Sequence, residues 1–350
     1  MKIITCASYY GSGSSALTDL VAEYSNVKDL SDFEFRFLHD PDGVSDLEYH
    51  LCECHNRHNS GHALKRFIRL ANYNKGNAFS RRYEPFFENQ FGKLTDEYIE
   101  SLVDFKFKGW WFQDLFDYGE KYYYRMMLLN KILRKATHGK KGILTKELTY
   151  CSHPSNDRFL ELTRAYVSNL MHAANAEKFE FLEIDQIVPS QNIGRVLRYF
   201  EDPITVFVVD RDPRDIYVLE KCYWKGHICP TDDVEKYCKW FRYTRNSGSE
   251  DITRLSNVRF IQFEDLIYKY DTEIETIEAF LGLKNENHVN KFKKLNPKRS
   301  VANTQSWKKH PELSKDIEYI ERELSEYLYP FDNVSFDSLA GIDVKENIPF

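Results

Sequence analysis

An α/β protein built on a parallel sheet with helices on both faces is what this sequence predicts, and three observations carry the prediction. A short apolar run from Lys2 to Cys6 passes through a Gly/Ser turn into a helix-like segment. Ile204-Thr205-Val206-Phe207-Val208-Val209 is a continuous, β-branched run of the kind found in strands buried on both faces. Further strand-like runs at Phe179 to Ile184 and Val258 to Phe263 are separated by long stretches of helical pattern.

In chain order, the pattern gives a strand at Lys2 to Cys6, a helix from Ser14 to Tyr24, and a strand at Phe33 to Leu38 that ends in His39-Asp40-Pro41-Asp42-Gly43. From Leu47 to Tyr150 the pattern turns helical and aromatic, with Trp110-Trp111-Phe112 and Tyr122-Tyr123-Tyr124, and reads as an insertion packed on the sheet. After the strand at Ile204 to Val209, Pro213 suits the first turn of a new helix. Glu318 to Tyr329 reads as a terminal amphipathic helix. The expected organisation is one domain over 1–331, a helical insertion over 47–150, and a loosely held extension over 332–350.

The Gly/Ser turn, Gly11-Ser12-Gly13-Ser14-Ser15, has the composition of an anion cradle. Its glycines allow positive φ and close backbone approach, and its amides and hydroxyls can donate to anionic oxygens. A loop that only caps the helix is the plain alternative. No Lys stands in the turn, so it departs from the G-x-x-x-x-G-K-[ST] loop of nucleoside triphosphate enzymes and favours a monophosphate or a sulfonate. The strand at Ile204 to Val209 ends in Asp210-Arg211-Asp212-Pro213-Arg214-Asp215. Arginines at the carboxyl end of a strand suit a phosphate clamp, because ligands of open α/β sheets collect at that edge. Asp210 could serve an ATP-dependent kinase as its Mg²⁺ ligand or simply terminate the strand.

Composition narrows the class. Net charge is −6 over 350 residues, so no global basic field argues for nucleic acid. Seven cysteines without a regular framework suit reduced thiols in a cytoplasmic compartment. No apolar run approaches a membrane span and Met1 to Ala7 is too short for a signal peptide, which leaves peripheral membrane contact open.

With both segments in view, the chain resembles the sulfotransferases that use 3′-phosphoadenosine 5′-phosphosulfate (PAPS), in particular soluble bacterial-type members. Arg211-Asp212-Pro213-Arg214-Asp215 matches that family's R-[DN]-P-[RK]-D motif, Phe260-Ile261-Gln262-Phe263-Glu264-Asp265-Leu266 is similar to its strand ending in E-D-L, and Gln305-Ser306-Trp307-Lys308-Lys309 to its late W-K segment. The resemblance covers residues 2–12 and 179–331 and implies a P-loop-like sulfotransferase fold with PAPS as the sulfuryl donor and no metal. It further implies that Gly11, Ser12, Gly13, Ser14 and Ser15 hold the 5′-phosphosulfate, that Arg211 holds the 3′-phosphate, and that Trp307 and Lys308 complete the cofactor cover. Two positions depart from the family: Gly11 stands where a Lys or Arg is usual, and Leu219 where a Ser commonly touches the 3′-phosphate.

Transfer to a hydroxyl or amine needs a base, and by analogy of position Asp40 is the first candidate, with His39 and Asp42 beside it. Asp40-Pro41-Asp42-Gly43 also reads as ordinary turn chemistry. The cluster from Cys52 to His62 holds residue types of a zinc site, but its spacing matches no standard finger. Arg57, His58 and Asn59 within it are candidates to bind the acceptor, which this reading expects to be a carbohydrate. A glycan- or nucleotide-binding relative that transfers nothing, and a kinase, are the alternatives.

Overall fold

The computed structural model describes residues 1–77, 79–245 and 255–333. The chain runs β1 (Lys2–Cys6), α1 (Ser15–Val21) and β2 (Val27–Glu34), then α2 (Val44–Glu48), α3 (Asn59–Lys75) and α4 (Phe91–Leu102). It continues through β3 (Phe105–Lys108), α5 (Phe112–Phe116), α6 (Glu120–Ala136), β4 (Leu148–Cys151) and α7 (Asn156–Ala174) to β5 (Phe181–Asp185), α8 (Ile193–Leu197) and β6 (Ile204–Asp210). Then follow α9 (Pro213–Val218), α10 (Val234–Arg245), β7 (Val258–Gln262), α11 (Phe263–Tyr268), α12 (Tyr270–Leu281), α13 (Pro297–Ser300) and α14 (Ser314–Glu323).

These elements form two compact units. The first comprises Met1–Arg36, Lys178–Leu197 and the described residues from Asp202 on. Its centre is a five-stranded sheet in the order β2-β5-β1-β6-β7, with every pairing parallel. The expected α/β class is therefore the observed one. Ile3 and Ile4, Leu182 and Glu183, and Val208 and Val209 are all buried, so the central strands are covered on both faces. One core joins Ile4, Cys6, Phe207 and Val209 to Leu17 and Leu20 of α1 and to Ile274 and Ile277 of α12. Another joins Ile216 and Val218 of α9 to Phe241 of α10 and Ile320 of α14.

Chain order reverses at β1: the chain leaves it for β2 on one side and later places β6 on the other. The carboxyl ends of β1 and β6 thus lie side by side at a topological switch point, where open α/β sheets bind ligands.

The second unit comprises Phe37–Glu177 and Arg198–Glu201. It is mostly helical, as the periodicity predicts, with a two-stranded antiparallel ribbon of β3 and β4. Its core carries Phe37, Phe67 and Phe91 at ring separations of 5.1 and 5.3 Å from Phe37. Buried Glu48 accepts from Arg198 at 3.0 Å and from the Tyr199 hydroxyl at 2.5 Å.

Two expectations shift in place. β2 occupies Val27–Glu34 rather than Phe33 to Leu38. Phe33, Phe35 and Phe37 are buried as their alternation suggests, but the ladder ends with the Phe35 amide donating to the Asp185 carbonyl at 2.9 Å. The terminal helix is Ser314–Glu323, four residues earlier than its expected start at Glu318. Most of the expected extension after Phe331 lies outside the described residues.

Candidate functional site

In the first unit, the loop after β1 is shaped by two glycines with positive φ, Gly11 at 72° and Gly13 at 82°. A side chain would be strained at both positions. A Cβ on Gly13 would stand 2.6 Å from Cδ2 of Phe263, and one on Gly11 would stand 3.0 Å from Cζ3 of Trp224. Trp224 closes a π-helical segment, Leu219–Trp224, whose Glu220 accepts a 2.7 Å hydrogen bond from the Tyr10 hydroxyl. The Trp224 indole thus forms a wall against the Gly11 backbone. Leu219 is fully buried.

Past these glycines the backbone amides of Gly13, Ser14 and Ser15 have no acceptor among the described residues. The Ser12 hydroxyl is buried and likewise unpartnered. The buried Ser12 hydroxyl is costly to leave unmet, and all of these groups are ready to donate to an anion.

β6 delivers Arg211 to the same place. Its guanidinium lies 4.5 Å from the centre of the Phe263 ring and donates through Nη2 to the Asn303 carbonyl. The residue is 2% exposed, and its Nε has no partner. Gly13, Ser15, Arg211, Phe263, Arg299 and Asn303 are among the residues lining one cavity of about 490 Å³. The structure thus gathers Gly13 and Ser15 of the Gly/Ser loop with Arg211, while Gly11, Ser12 and Ser14 do not line this cavity.

The rest of the arginine motif faces inward. Asp212 caps α9 and takes both Arg214 Nε at 2.9 Å and Nη2 at 2.7 Å. Arg214 Nη1 reaches Glu321 at 2.7 Å, and its guanidinium is covered by Trp307 at 4.0 Å. Asp215 accepts from the amides of Gln305 at 3.0 Å and Ser306 at 2.7 Å. Burial pushes the Asp215 carboxyl up to about 6 against the pull of Arg211. Burial, with Asp212 and Asp215 close by, likewise raises Glu264, whose Oε1 accepts the Asp212 amide at 3.0 Å. Trp307 thus packs on Arg214, and exposed Lys308 donates to Gln305. Neither lines the cavity with Arg211.

Asp210 is held by Arg245, with Nη2 to Oδ1 at 2.5 Å. The Arg245 guanidinium is itself sandwiched between Tyr9 at 4.4 Å and Phe241 at 3.5 Å. A strand-end carboxylate in this bond is a structural terminator.

In the second unit, His39 and Asp40 follow the turn after Phe37 and are half-buried, five residues or more beyond the end of β2. Asp42 takes the Arg66 guanidinium, and its own amide donates to Asp46 at 2.8 Å. Asp42, His58, Asn59 and Trp111 are among the residues lining a cavity of about 320 Å³. There the His58 ring stacks on Trp111 at 3.9 Å. Arg57 is exposed and donates back to His58 Nε2 at 3.0 Å. His62 Nδ1 lies 3.0 Å from Asp114 and its Nε2 lies 3.4 Å from Asp117. Burial pushes Asp114 up, yet hydrogen bonds from His62 and Lys65 hold it below the usual carboxylate range. Among the described residues no group of three His, Cys, Asp or Glu is placed to hold a metal.

The sequence marks Phe263 only as part of a motif and does not mark Arg299 at all. Phe263 is the hinge residue of the motif Phe263-Glu264-Asp265-Leu266, and its ring supports both Gly13 and Arg211. Arg299 sits on the four-residue α13, whose N-cap Asn296 accepts the Lys298 amide through its side chain.

No family model matches the chain, and no curated protein matches it. Among solved structures it is similar to a retinol dehydratase in complex with androsterone and the inactive cofactor PAP. That likeness covers 94% of this chain and 83% of the other, with 14% identity and a TM-score of 0.34.

Proposed function

We propose that this chain binds PAPS and transfers its sulfuryl group to a hydroxyl or amine, with a carbohydrate as the acceptor. One observation carries the reading: Gly13 and Ser15 with their open amides, Arg211 with its open Nε, and the exposed Arg299 all line a single cavity at the switch point of the sheet. Neutral donors at one wall and cations at another suit a ligand with two anionic groups. PAPS, when bound, supplies an already activated sulfuryl group. Gly11 to Ser15 would hold its 5′-phosphosulfate, and Arg211 with Arg299 its 3′-phosphate. Trp307 and Lys308 act one step removed, by fixing Arg214 and the turn at Gln305.

In the second unit, the cavity walled by Trp111 would take the acceptor. Aromatic faces with His58, Asn59 and carboxylates around them match the alternating apolar and hydroxyl surfaces of a sugar. Asp40 is the base in this reading, with His39 next. Asp42 orients, since its carboxylate is engaged by Arg66.

Binding without transfer is favoured by one feature, the absence of a loop cation at Gly11. The kinase reading loses its Mg²⁺ ligand, because Asp210 is bound by Arg245.

Calorimetry with 3′-phosphoadenosine 5′-phosphate, with ATP plus Mg²⁺ as control, tests the reading. Micromolar, Mg²⁺-independent binding that Arg211→Ala weakens at least about 100-fold is expected. Preference for ATP with Mg²⁺ would overturn it. Asp40→Ala should then remove turnover while leaving that affinity within about threefold, and unchanged absence of turnover in wild type and variant would favour binding alone.

A further inference from the structure

Helix α6, Glu120–Ala136, has no buried residue in its 17 positions, although Tyr, Met, Leu and Ile make up half of it. It rests on its own unit through half-buried Tyr123, Met127, Asn130 and Leu133, and the Asn130 side chain accepts the Ile143 amide at 3.0 Å. Away from that contact, Tyr124, Leu128 and Ile132 follow one another at i, i+4 and i+8 and are 60%, 59% and 55% exposed. Helical periodicity sets Lys121, Lys131 and Lys135 on the same strip.

The charge of this helix runs against that of the chain. α6 carries five cations and one carboxylate, while the whole sequence has a net charge of −6. None of those cations is ion-paired with a described residue. Exposed cations on other helices are in part matched within their own helix: Lys239 pairs with Glu235 on α10, and Lys93 with Glu97 on α4. A ridge of exposed apolar side chains interleaved with unmatched lysines is a poor solvent-facing surface.

We propose that α6 docks on an anionic membrane surface, with Tyr124, Leu128 and Ile132 in the headgroup boundary and the lysines reaching lipid phosphates and carboxylates. A second copy fits this face less well, since a two-fold contact sets each positive helix against its twin. The proposal is independent of the donor site.

Co-sedimentation of the full chain with vesicles tests it. Binding to phosphatidylcholine/phosphatidylserine vesicles, weak binding to phosphatidylcholine alone, and release by added salt are expected. Leu128→Ser with Ile132→Ser, and separately Lys131→Glu with Lys135→Glu, should each weaken partitioning at least about tenfold. All four positions are exposed, so circular dichroism and melting temperature should stay at wild-type values. Failure to bind anionic vesicles, equal binding by the variants, or an effect of the variants only on self-association in sedimentation velocity would each overturn the proposal.

Discussion

At Gly11 the backbone conformation and the Trp224 ring disfavour the cation that resembling proteins carry. With φ at 72° and the Trp224 ring 3.0 Å from where a Cβ would sit, a larger residue meets backbone strain and a tight contact that the indole must yield to. Gly11→Lys should therefore lower stability by about 1–3 kcal/mol in urea unfolding and fail to raise turnover. A stable, faster variant would show that the indole wall yields and that a loop cation was simply lost. At Arg211 the opposite holds, because the residue is buried yet one of its donors is open. A buried guanidinium with an unmet N–H is a group waiting for an acceptor.

At the scale of the element, the stretch from β6 into α9 divides its two arginines between tasks. Arg211 faces the cavity, and Arg214 closes on Asp212, Glu321 and Trp307. Arg214→Ala would strand the buried Asp212 carboxylate and should cost about 3 kcal/mol in urea unfolding, while the folded fraction keeps its ligand affinity. Loss of affinity without loss of stability would assign Arg214 to the ligand instead. β1 and β6 are legible in the sequence because both are central and uniformly apolar. β2 is an edge strand, and its Lys28, Asp29, Ser31 and Asp32 hide it behind the more regular Phe33-Glu34-Phe35-Arg36-Phe37 alternation that follows. The Gly/Ser loop and Arg211 can be found from residue type and strand end alone. Arg299 cannot, since it lies on a single short turn in the irregular stretch after α12, where no periodicity marks it. Trp307 is marked by its motif, but only the structure shows that its ring covers Arg214.

Across the whole molecule, the sheet encloses acids in its core. Burial, then Asp185 and Asp29, push the Glu183 carboxyl up to about 9, and burial, then Glu34, push Asp185 up to about 7. Both therefore hold protons in the native state over a range where the unfolded chain has released them. With more protons bound in the folded state, stability is fullest below the ordinary carboxylate range and falls as pH rises toward the raised values. The melting temperature should drop by at least about 3 °C from about pH 6 to about pH 9, and Glu183→Gln should flatten that slope. A flat wild-type profile would show that the two acids are solvated.

The position of β1 has a consequence for how the chain is made. Its partners in the sheet are β5 and β6, whose residues come 175 and more positions later. At ribosomal rates the first strand waits about 10–35 s for its neighbours. Through that interval an apolar edge stays open while the second unit is being synthesised. The yield of native protein thus depends on how well that edge is shielded, and chaperone capacity during expression becomes as decisive as the final stability.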